Sequence, residues 1–144
     1  MRVGCPWRDV PKSFGCWNFI YKRFNAWSSS SKWIRVFKAL IIDPDREWKF
    51  IDGSYVKAHQ HSAGAAYKKP QAIGKSRAGN TTKIHLAVDG YGLPVEFEIT
   101  GGEVNDCSAA ADLIARSPDA QVIIADKGYD SEHIRQQIAK KGTK

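Results

Sequence analysis

Two aspartates, Asp52 and Asp126, occupy positions that suit chemistry as well as structure. Asp52 falls within an alternating row that a strand would direct to one side, namely Trp48, Phe50, Asp52, Ser54 and Val56. Asp126 directly follows the consecutive apolar residues 122–125, a pattern typical of a strand that is covered on both faces. An acid in phase with a core-facing row, or at the carboxyl end of a buried strand, needs a partner or a ligand.

If their two strands are neighbours, these carboxylates lie close enough to share a divalent cation. Adjacent strands are about 5 Å apart, and carboxylate oxygens suit Mg²⁺ or Mn²⁺. Without a cation, two like charges at that distance repel each other and one takes up a proton. A cation held in this way would suit phosphoryl transfer. An aspartate at a strand end can also be a helix cap or a turn residue, and the pattern alone leaves that alternative open.

The residues between the two acids predict an antiparallel hairpin. Apolar and polar residues alternate along residues 83–88 and again along residues 95–99, with the turn Asp89-Gly90-Tyr91-Gly92 between them. The apolar rows are expected to face the core. Lys83 and His85 are then expected on a wet face of the sheet.

Two helices and the apolar strand before Asp126 complete the predicted fold. Asp106 can cap the first helix, and Ser131 or Asp130 can cap a second helix that Gly142 ends. The predicted order is β-β-β-α-β-α. A right-handed crossover through the first helix returns the apolar strand beside the first strand, which brings the two acids together. The fold class is therefore α/β with a mixed sheet.

Residues 1–44 predict a small helical region in front of a second domain, residues 45–144. Helically spaced apolar side chains recur at Trp17, Ile20, Tyr21, Phe24 and Trp27, and again at Trp33, Val36, Phe37, Leu40 and Ile41. The serines at 28–31 separate the two helices, and Asp43-Pro44 ends the second. Two helices with a polar, basic outer side match a helix-turn-helix unit that lies in a DNA groove; a plain helical hairpin is the alternative.

The charge of the chain favours a polyanionic partner. The 144 residues carry a net charge of +7, and residues 1–45 and 46–89 each hold 8 basic and 3 acidic side chains, whereas residues 90–144 hold 6 and 9. This asymmetry predicts a positive face for nucleic acid, with residues 62–81 as a long basic loop. A solvated basic surface is the alternative. The expected DNA contacts are Arg8, Lys22, Arg23, Lys57, His59, His61, Lys68, Lys69, Lys75, Arg77, Lys83 and Lys127.

Several classes of protein are excluded. No apolar run approaches the roughly 20 residues that cross a bilayer, and the N-terminus lacks the apolar stretch of a signal peptide. Cys5, Cys16 and Cys107 form no C-x-x-C pair, which argues against a disulfide framework and a zinc site. His59 and His61 lack a third neighbouring ligand in sequence. A cytoplasmic protein is expected.

Five collinear stretches carry a resemblance to a known family. They are residues 7–11, 17–24, 51–61 (Ile-Asp-Gly-Ser-Tyr-Val-Lys-Ala-His-Gln-His), 82–90 (Thr-Lys-Ile-His-Leu-Ala-Val-Asp-Gly) and 125–130 (Ala-Asp-Lys-Gly-Tyr-Asp). They are spread along nearly the whole chain, from residue 7 to residue 130. They resemble bacterial insertion-sequence transposases with an RNase H-like DDE domain, most closely the IS-five family of the IS-four-like superfamily.

This resemblance implies a role for each acid. Asp52 matches the first acid of the DDE triad and Asp126 the second, and together they would hold two Mg²⁺ (or Mn²⁺) ions that activate water or a DNA 3′-hydroxyl. No covalent enzyme intermediate is implied. The implied partners are double-stranded DNA, at the terminal inverted repeats and at the target, and further copies of the chain on that DNA. A location at the bacterial nucleoid follows.

The chain departs from the family pattern at two places. Gly53 replaces the usual hydroxyl residue, and the third acid, a Glu within a Tyr-Arg-Glu-Lys signature that follows a further strand, is absent from these residues. Glu132 follows Asp126 too closely to replace it. The expectation is therefore an incomplete RNase H-like sheet in a split or truncated transposase that is inactive alone, since two ligands hold cations loosely.

Two rival functions remain open from the sequence. A non-catalytic fragment could regulate transposition by occupying the terminal inverted repeats. A free-standing metal-dependent nuclease or phosphatase would need a third ligand among Glu96, Glu98, Glu103 and Asp130.

Overall fold

Two compact units make up the chain, residues 1–42 and residues 43–144. The computed structural model describes residues 6–58 and 71–144. Four of the expected DNA contacts lie outside these described residues, namely His59, His61, Lys68 and Lys69. In the described part of the chain, no helix combines the length and apolar character that crossing a membrane requires.

Residues 6–42 of the first unit form two α-helices, α1 (Trp17–Ser29) and α2 (Lys32–Leu40), as the apolar spacing predicts. Short 3₁₀ turns at Trp7–Asp9 and Lys12–Phe14 precede them. Ser31 forms the connection with a left-handed backbone, at φ 55°. Aromatic rings hold the unit together, in the pairs Trp7–Tyr21, Trp7–Phe24, Phe24–Trp33 and Trp27–Trp33.

The described residues of the second unit, 43–58 and 71–144, form five strands and two α-helices. In chain order they are β1 (Trp48–Lys57), β2 (Gly74–Ser76), β3 (Gly79–Asp89), β4 (Pro94–Gly101), α3 (Asp106–Arg116), β5 (Val122–Ala125) and α4 (Glu132–Lys140). A 3₁₀ turn, Lys127–Tyr129, joins β5 to α4. The short strand β2 is an addition to the predicted order. The sequence predicts a loop for this segment, because the three residues of β2 show no apolar alternation.

The sheet is mixed, as expected. Its strand order is β2-β3-β1-β5, with β4 also paired to β3. The β1–β3 and β3–β4 pairs are antiparallel, whereas β1 and β5 are parallel. The prediction that the apolar strand returns beside the first strand is therefore confirmed. On the other edge of β5, Lys144 N donates to Gln121 O at 2.9 Å and Ile123 N donates to Lys144 O at 2.8 Å.

The caps of the two helices differ in part from expectation. Asn105, not Asp106, caps α3, because Asn105 Oδ1 accepts from Cys107 N at 3.1 Å. Asp106 is instead the first residue of that helix. Ser131 caps α4 through Ile134 N, and Gly142 adopts the left-handed backbone that ends the helix, at φ 72°.

The expected core face of the sheet is wrong. In β1 the buried residues are Lys49 and Ile51, whereas Asp52 lies in the exposed row. In β3 the buried row includes Lys83 and His85. The helix α3 packs against β3 and β4 through its buried Ala109, Ala110, Leu113 and Ile114. Alternation reveals which residues share a face, but only the position of the covering helices decides which face is buried.

Candidate active site

The parallel pairing of β1 with β5 places the two predicted acids side by side. The last register pair is Ile51 opposite Ala125, and Asp52 and Asp126 are the next residues on the two chains. Both aspartates are exposed to solvent. Because parallel strands run in one direction, both acids lie towards the same end of the strand pair.

Local backbone groups orient each carboxylate. Asp126 caps the 3₁₀ turn that follows β5, since its Oδ1 accepts from Gly128 N at 2.9 Å. Asp52 Oδ1 accepts from Gly53 N at 2.7 Å.

A buried polar cluster lies behind the two acids and consists of Lys83, His85, Asp106 and Tyr129. Lys83 forms an ion pair with Asp106, and the two side chains are only 5% and 20% exposed. His85 is fully buried; its Nδ1 lies 2.9 Å from the Tyr129 hydroxyl and its Nε2 lies 3.0 Å from Thr100 Oγ1. These contacts satisfy polar groups that would otherwise be costly to bury.

The charges of three nearby carboxylates affect the pKa of the Tyr129 phenol. Burial raises the pKa of Tyr129 above its ordinary value, and the negative charges of Asp106, Asp126 and Asp52 raise it further. The hydroxyl therefore keeps its proton throughout the neutral pH range. Burial also lowers the pKa of His85, although the nearby Asp106 carboxylate opposes that shift, so the imidazole is neutral near pH 7.

The sequence of the chain matches the profiles of two known families. Residues 44–144 match the profile of a family described as "Transposase DDE domain". The chain belongs to this DDE transposase family. Residues 1–37 also match a family described as "Putative transposase of IS4/5 family". No solved structure matches the chain significantly.

Two curated relatives that are named as transposases support this membership, and a third similar protein is uncharacterized. The chain is 41% identical over 59 residues to a "Putative transposase for insertion sequence element IS6501" from Brucella ovis, and 31% identical over 84 residues to one for IS402 from Burkholderia cepacia. It is 35% identical over 68 residues to the uncharacterized protein y4sN of Sinorhizobium fredii. The matches cover 41%, 51% and 47% of this chain and 45%, 39% and 54% of the respective relatives. The chain thus spans about half the length of the relatives it matches.

The two aspartates of this DDE domain are suitable ligands for magnesium. Mg²⁺ is usually held by one or two carboxylates, with water and phosphate oxygens completing its coordination. Residues 6–58 and 71–144 contain no group of three His, Cys, Asp or Glu residues that could hold a metal ion. Two of the residues considered as a third ligand are ion-paired elsewhere, Glu98 with Arg116 and Asp130 with Arg135.

Most of the expected DNA contacts that the structure describes are exposed. On the first unit these are Arg8, Lys22 and Arg23, and on the DDE domain they are Lys57, Lys75, Arg77 and Lys127. Lys83 is the exception: it is 4% exposed and paired with Asp106. The expectation that Lys83 lies on a wet face of the sheet is therefore wrong, because its side chain is buried and its ammonium pairs with Asp106.

Sequence reasoning did not assign Asp106, His85 or Tyr129 to this site. The local pattern predicts a helix cap for Asp106 and a position on the wet face of the sheet for His85, and each residue fits that pattern well. The available signal was the pair of glycines, Gly53 and Gly128, that follow the two acids closely. Glycine at such positions often marks a close approach by another group.

Proposed function

We propose that this chain takes part in DNA transposition, with Asp52 and Asp126 as two carboxylates of the catalytic site. The observation that carries this proposal is the β1–β5 register, which sets the two acids next to each other in a chain of the DDE transposase family. The resemblance of residues 51–61 and 125–130 to the motifs of that family supports the same assignment.

The chemistry would be cleavage and joining of phosphodiester bonds. In cleavage, a water oxygen attacks phosphorus and the DNA 3′-hydroxyl leaves. In joining, that 3′-hydroxyl oxygen attacks the phosphorus of a target phosphodiester, the bond from that phosphorus to the target's own 3′-oxygen breaks, and the target 3′-hydroxyl leaves. Two bound Mg²⁺ or Mn²⁺ ions would supply nucleophile activation and charge neutralisation. Asp52 and Asp126 would hold the ions, with their own positions fixed by the N–H groups of Gly53 and Gly128.

DNA would be the partner of both units. The exposed basic residues of the helical unit, Arg8, Lys22 and Arg23, suit contacts to the terminal inverted repeats, in the manner of an accessory helix-turn-helix region. Lys57, Lys75, Arg77 and Lys127 suit contacts to DNA near the acids, and His59, His61, Lys68 and Lys69 belong to the same proposed set. Assembly of several copies on DNA in the bacterial cytoplasm, at the nucleoid, is part of this proposal.

A third carboxylate is needed for efficient catalysis. The resemblance assigns it to a Tyr-Arg-Glu-Lys segment that these 144 residues do not contain. We therefore expect DNA binding from this chain alone, and strand cleavage only after a segment that carries the third acid is supplied. Regulation through occupancy of the inverted repeats is the alternative role of the chain by itself, favoured by its exposed basic residues.

The test uses DNA that carries the ends of the encoding element. Asp52→Asn and Asp126→Asn, introduced into the protein completed with the third acid, should each abolish Mg²⁺-dependent nicking and leave DNA affinity nearly unchanged. Nicking is measured on labelled duplex, and affinity by fluorescence anisotropy. Asp119→Asn, an exposed acid elsewhere on the domain, is the matched control and should nick at the wild-type rate. Full cleavage by either site variant would exclude the assignment.

A further inference from the structure

Asp106 lies close to the backbone next to both proposed catalytic acids, and the Tyr129 hydroxyl lies close to the backbone next to Asp52. A Cβ atom built on Gly53 would lie 2.5 Å from the Tyr129 hydroxyl and 3.6 Å from Asp106 Oδ1. A Cβ atom built on Gly128 would lie 2.8 Å from Asp106 Oδ2 and 3.1 Å from Asp126 Oδ1. Asp106 and Tyr129 therefore fill the space between the segment after Asp52 and the turn after Asp126.

These two side chains are themselves firmly held. The Lys83 ammonium pairs with Asp106, and the buried His85 ring bonds the Tyr129 hydroxyl. Cys107 Sγ adds a further link, since it donates to Gly128 O at 3.2 Å. The cluster thus joins β1, β3, α3 and the turn after β5, elements that are distant in sequence.

We infer that Asp106 and Tyr129 are positioning residues that set the separation of Asp52 and Asp126. Their role is to fix the backbone after each acid rather than to bind a cation themselves. Buried partners of ligand residues commonly affect metal affinity by about 10–100-fold. This inference rests on the proposed function, because it takes Asp52 and Asp126 as the cation ligands.

The test measures Mn²⁺ binding to the full chain by electron paramagnetic resonance, without DNA. Tyr129→Phe removes one hydroxyl and no charge, and we expect it to weaken Mn²⁺ binding at least about tenfold. Tyr91→Phe, the same change at a tyrosine that is 81% exposed, should bind as the wild type does. Thermal unfolding of each variant, with binding measured well below its midpoint, separates a change in affinity from a loss of folded protein.

Charge effects are separated from positioning by a double substitution. Asp106→Asn alone removes a negative charge near the acids, and Lys83→Met alone removes a positive one. Combined, they leave the net charge unchanged while abolishing the ion pair. Positioning predicts that the double variant binds Mn²⁺ at least about tenfold more weakly than the wild type. A simple charge effect predicts that its affinity returns to the wild-type value, which would overturn the inference for Asp106.

The remaining outcomes distinguish the two proposals. If Asp52→Asn weakens Mn²⁺ binding but Tyr129→Phe and the double variant do not, the positioning role is wrong and the two-acid site stands. If the wild type binds no Mn²⁺, or binds it equally well after Asp52→Asn, the two-acid site is itself overturned and the inference falls with it.

Discussion

Lys49 is a buried lysine, and among residues 6–58 and 71–144 it forms no ion pair with a carboxylate. Its side chain lies on the covered side of β1, where Nζ donates to Ser117 Oγ at 2.8 Å and to the Pro118 carbonyl oxygen. Burial, together with the nearby charge of Lys141, lowers the pKa of Lys49 to about 8 from an ordinary value of 10.5. Between these pH values the unfolded chain binds more protons than the folded one, so the free energy of unfolding rises with pH.

This linkage predicts a pH-dependent effect of Lys49→Met. From pH 8 to pH 10 the wild type should gain about 1–2 kcal/mol in unfolding free energy relative to the variant, since one pKa unit corresponds to about 1.4 kcal/mol. Below pH 8 the difference should be constant. Urea denaturation across pH 7–10 measures it, with Lys140→Met, at an exposed position of α4, as the control. A difference independent of pH throughout would contradict the assignment of the shift to Lys49.

Gly53 is the position at which one methyl group should matter most for the candidate site. The Cβ of Gly53→Ala would meet the Tyr129 hydroxyl at 2.5 Å, so we expect a loss of about 1–3 kcal/mol in unfolding free energy. Tyr129→Phe removes the atom that clashes, and Gly53→Ala should therefore cost less in that background. Chemical denaturation of the four proteins forms a double-mutant cycle; strictly additive losses would count against the contact.

The helix α3 positions Asp106, which lies in its first turn. Asn105 caps this turn through the bond from Cys107 N, and Asn105→Ala should cost about 1 kcal/mol of unfolding free energy. Asn105→Ser keeps an acceptor and should cost much less. Thermal and urea unfolding give both values. Equal losses in the two variants would show that the cap bond contributes nothing.

The alternation of apolar and polar residues predicts most strands of the sheet. It does not determine which face of the sheet the helices cover. The alternating rows of β1, β3 and β4 and the apolar run of β5 suffice for the strands and for the meeting of Asp52 with Asp126. They fail for Lys83 and His85, whose burial depends on Asp106, Tyr129 and Thr100, partners that lie on other elements. Contacts with residues on other elements therefore determine which face of the sheet is buried, and the alternation in the sequence does not.

Basic residues outnumber acidic residues in residues 1–89, whereas acidic residues outnumber basic ones in residues 90–144. If DNA neutralises the exposed basic residues, affinity should fall steeply with salt, because each phosphate contact releases counterions. Lys22→Ala together with Arg23→Ala should weaken duplex binding and reduce the salt slope by about 2. Lys140→Ala, in the acidic third, is the control and should leave the slope unchanged. Fluorescence anisotropy from 50 to 300 mM salt measures both, and a flat response in the wild type would refute the polyanion partner.

The sheet also presents a largely apolar face opposite α3. Phe50, Ile99 and Ile124 are 38%, 46% and 41% exposed on it. This exposed face carries the apolar rows that the alternation in the sequence predicts for the core.

The parallel pairing of β1 with β5 has a consequence for how the protein is made. Antiparallel neighbours such as β3 and β4 can pair as soon as a short turn has left the ribosome, whereas β1 can pair with β5 only after α3 and β5 have been synthesised. The edge that carries both aspartates therefore forms late in biosynthesis. A nascent chain has no assembled acid pair until that closing step.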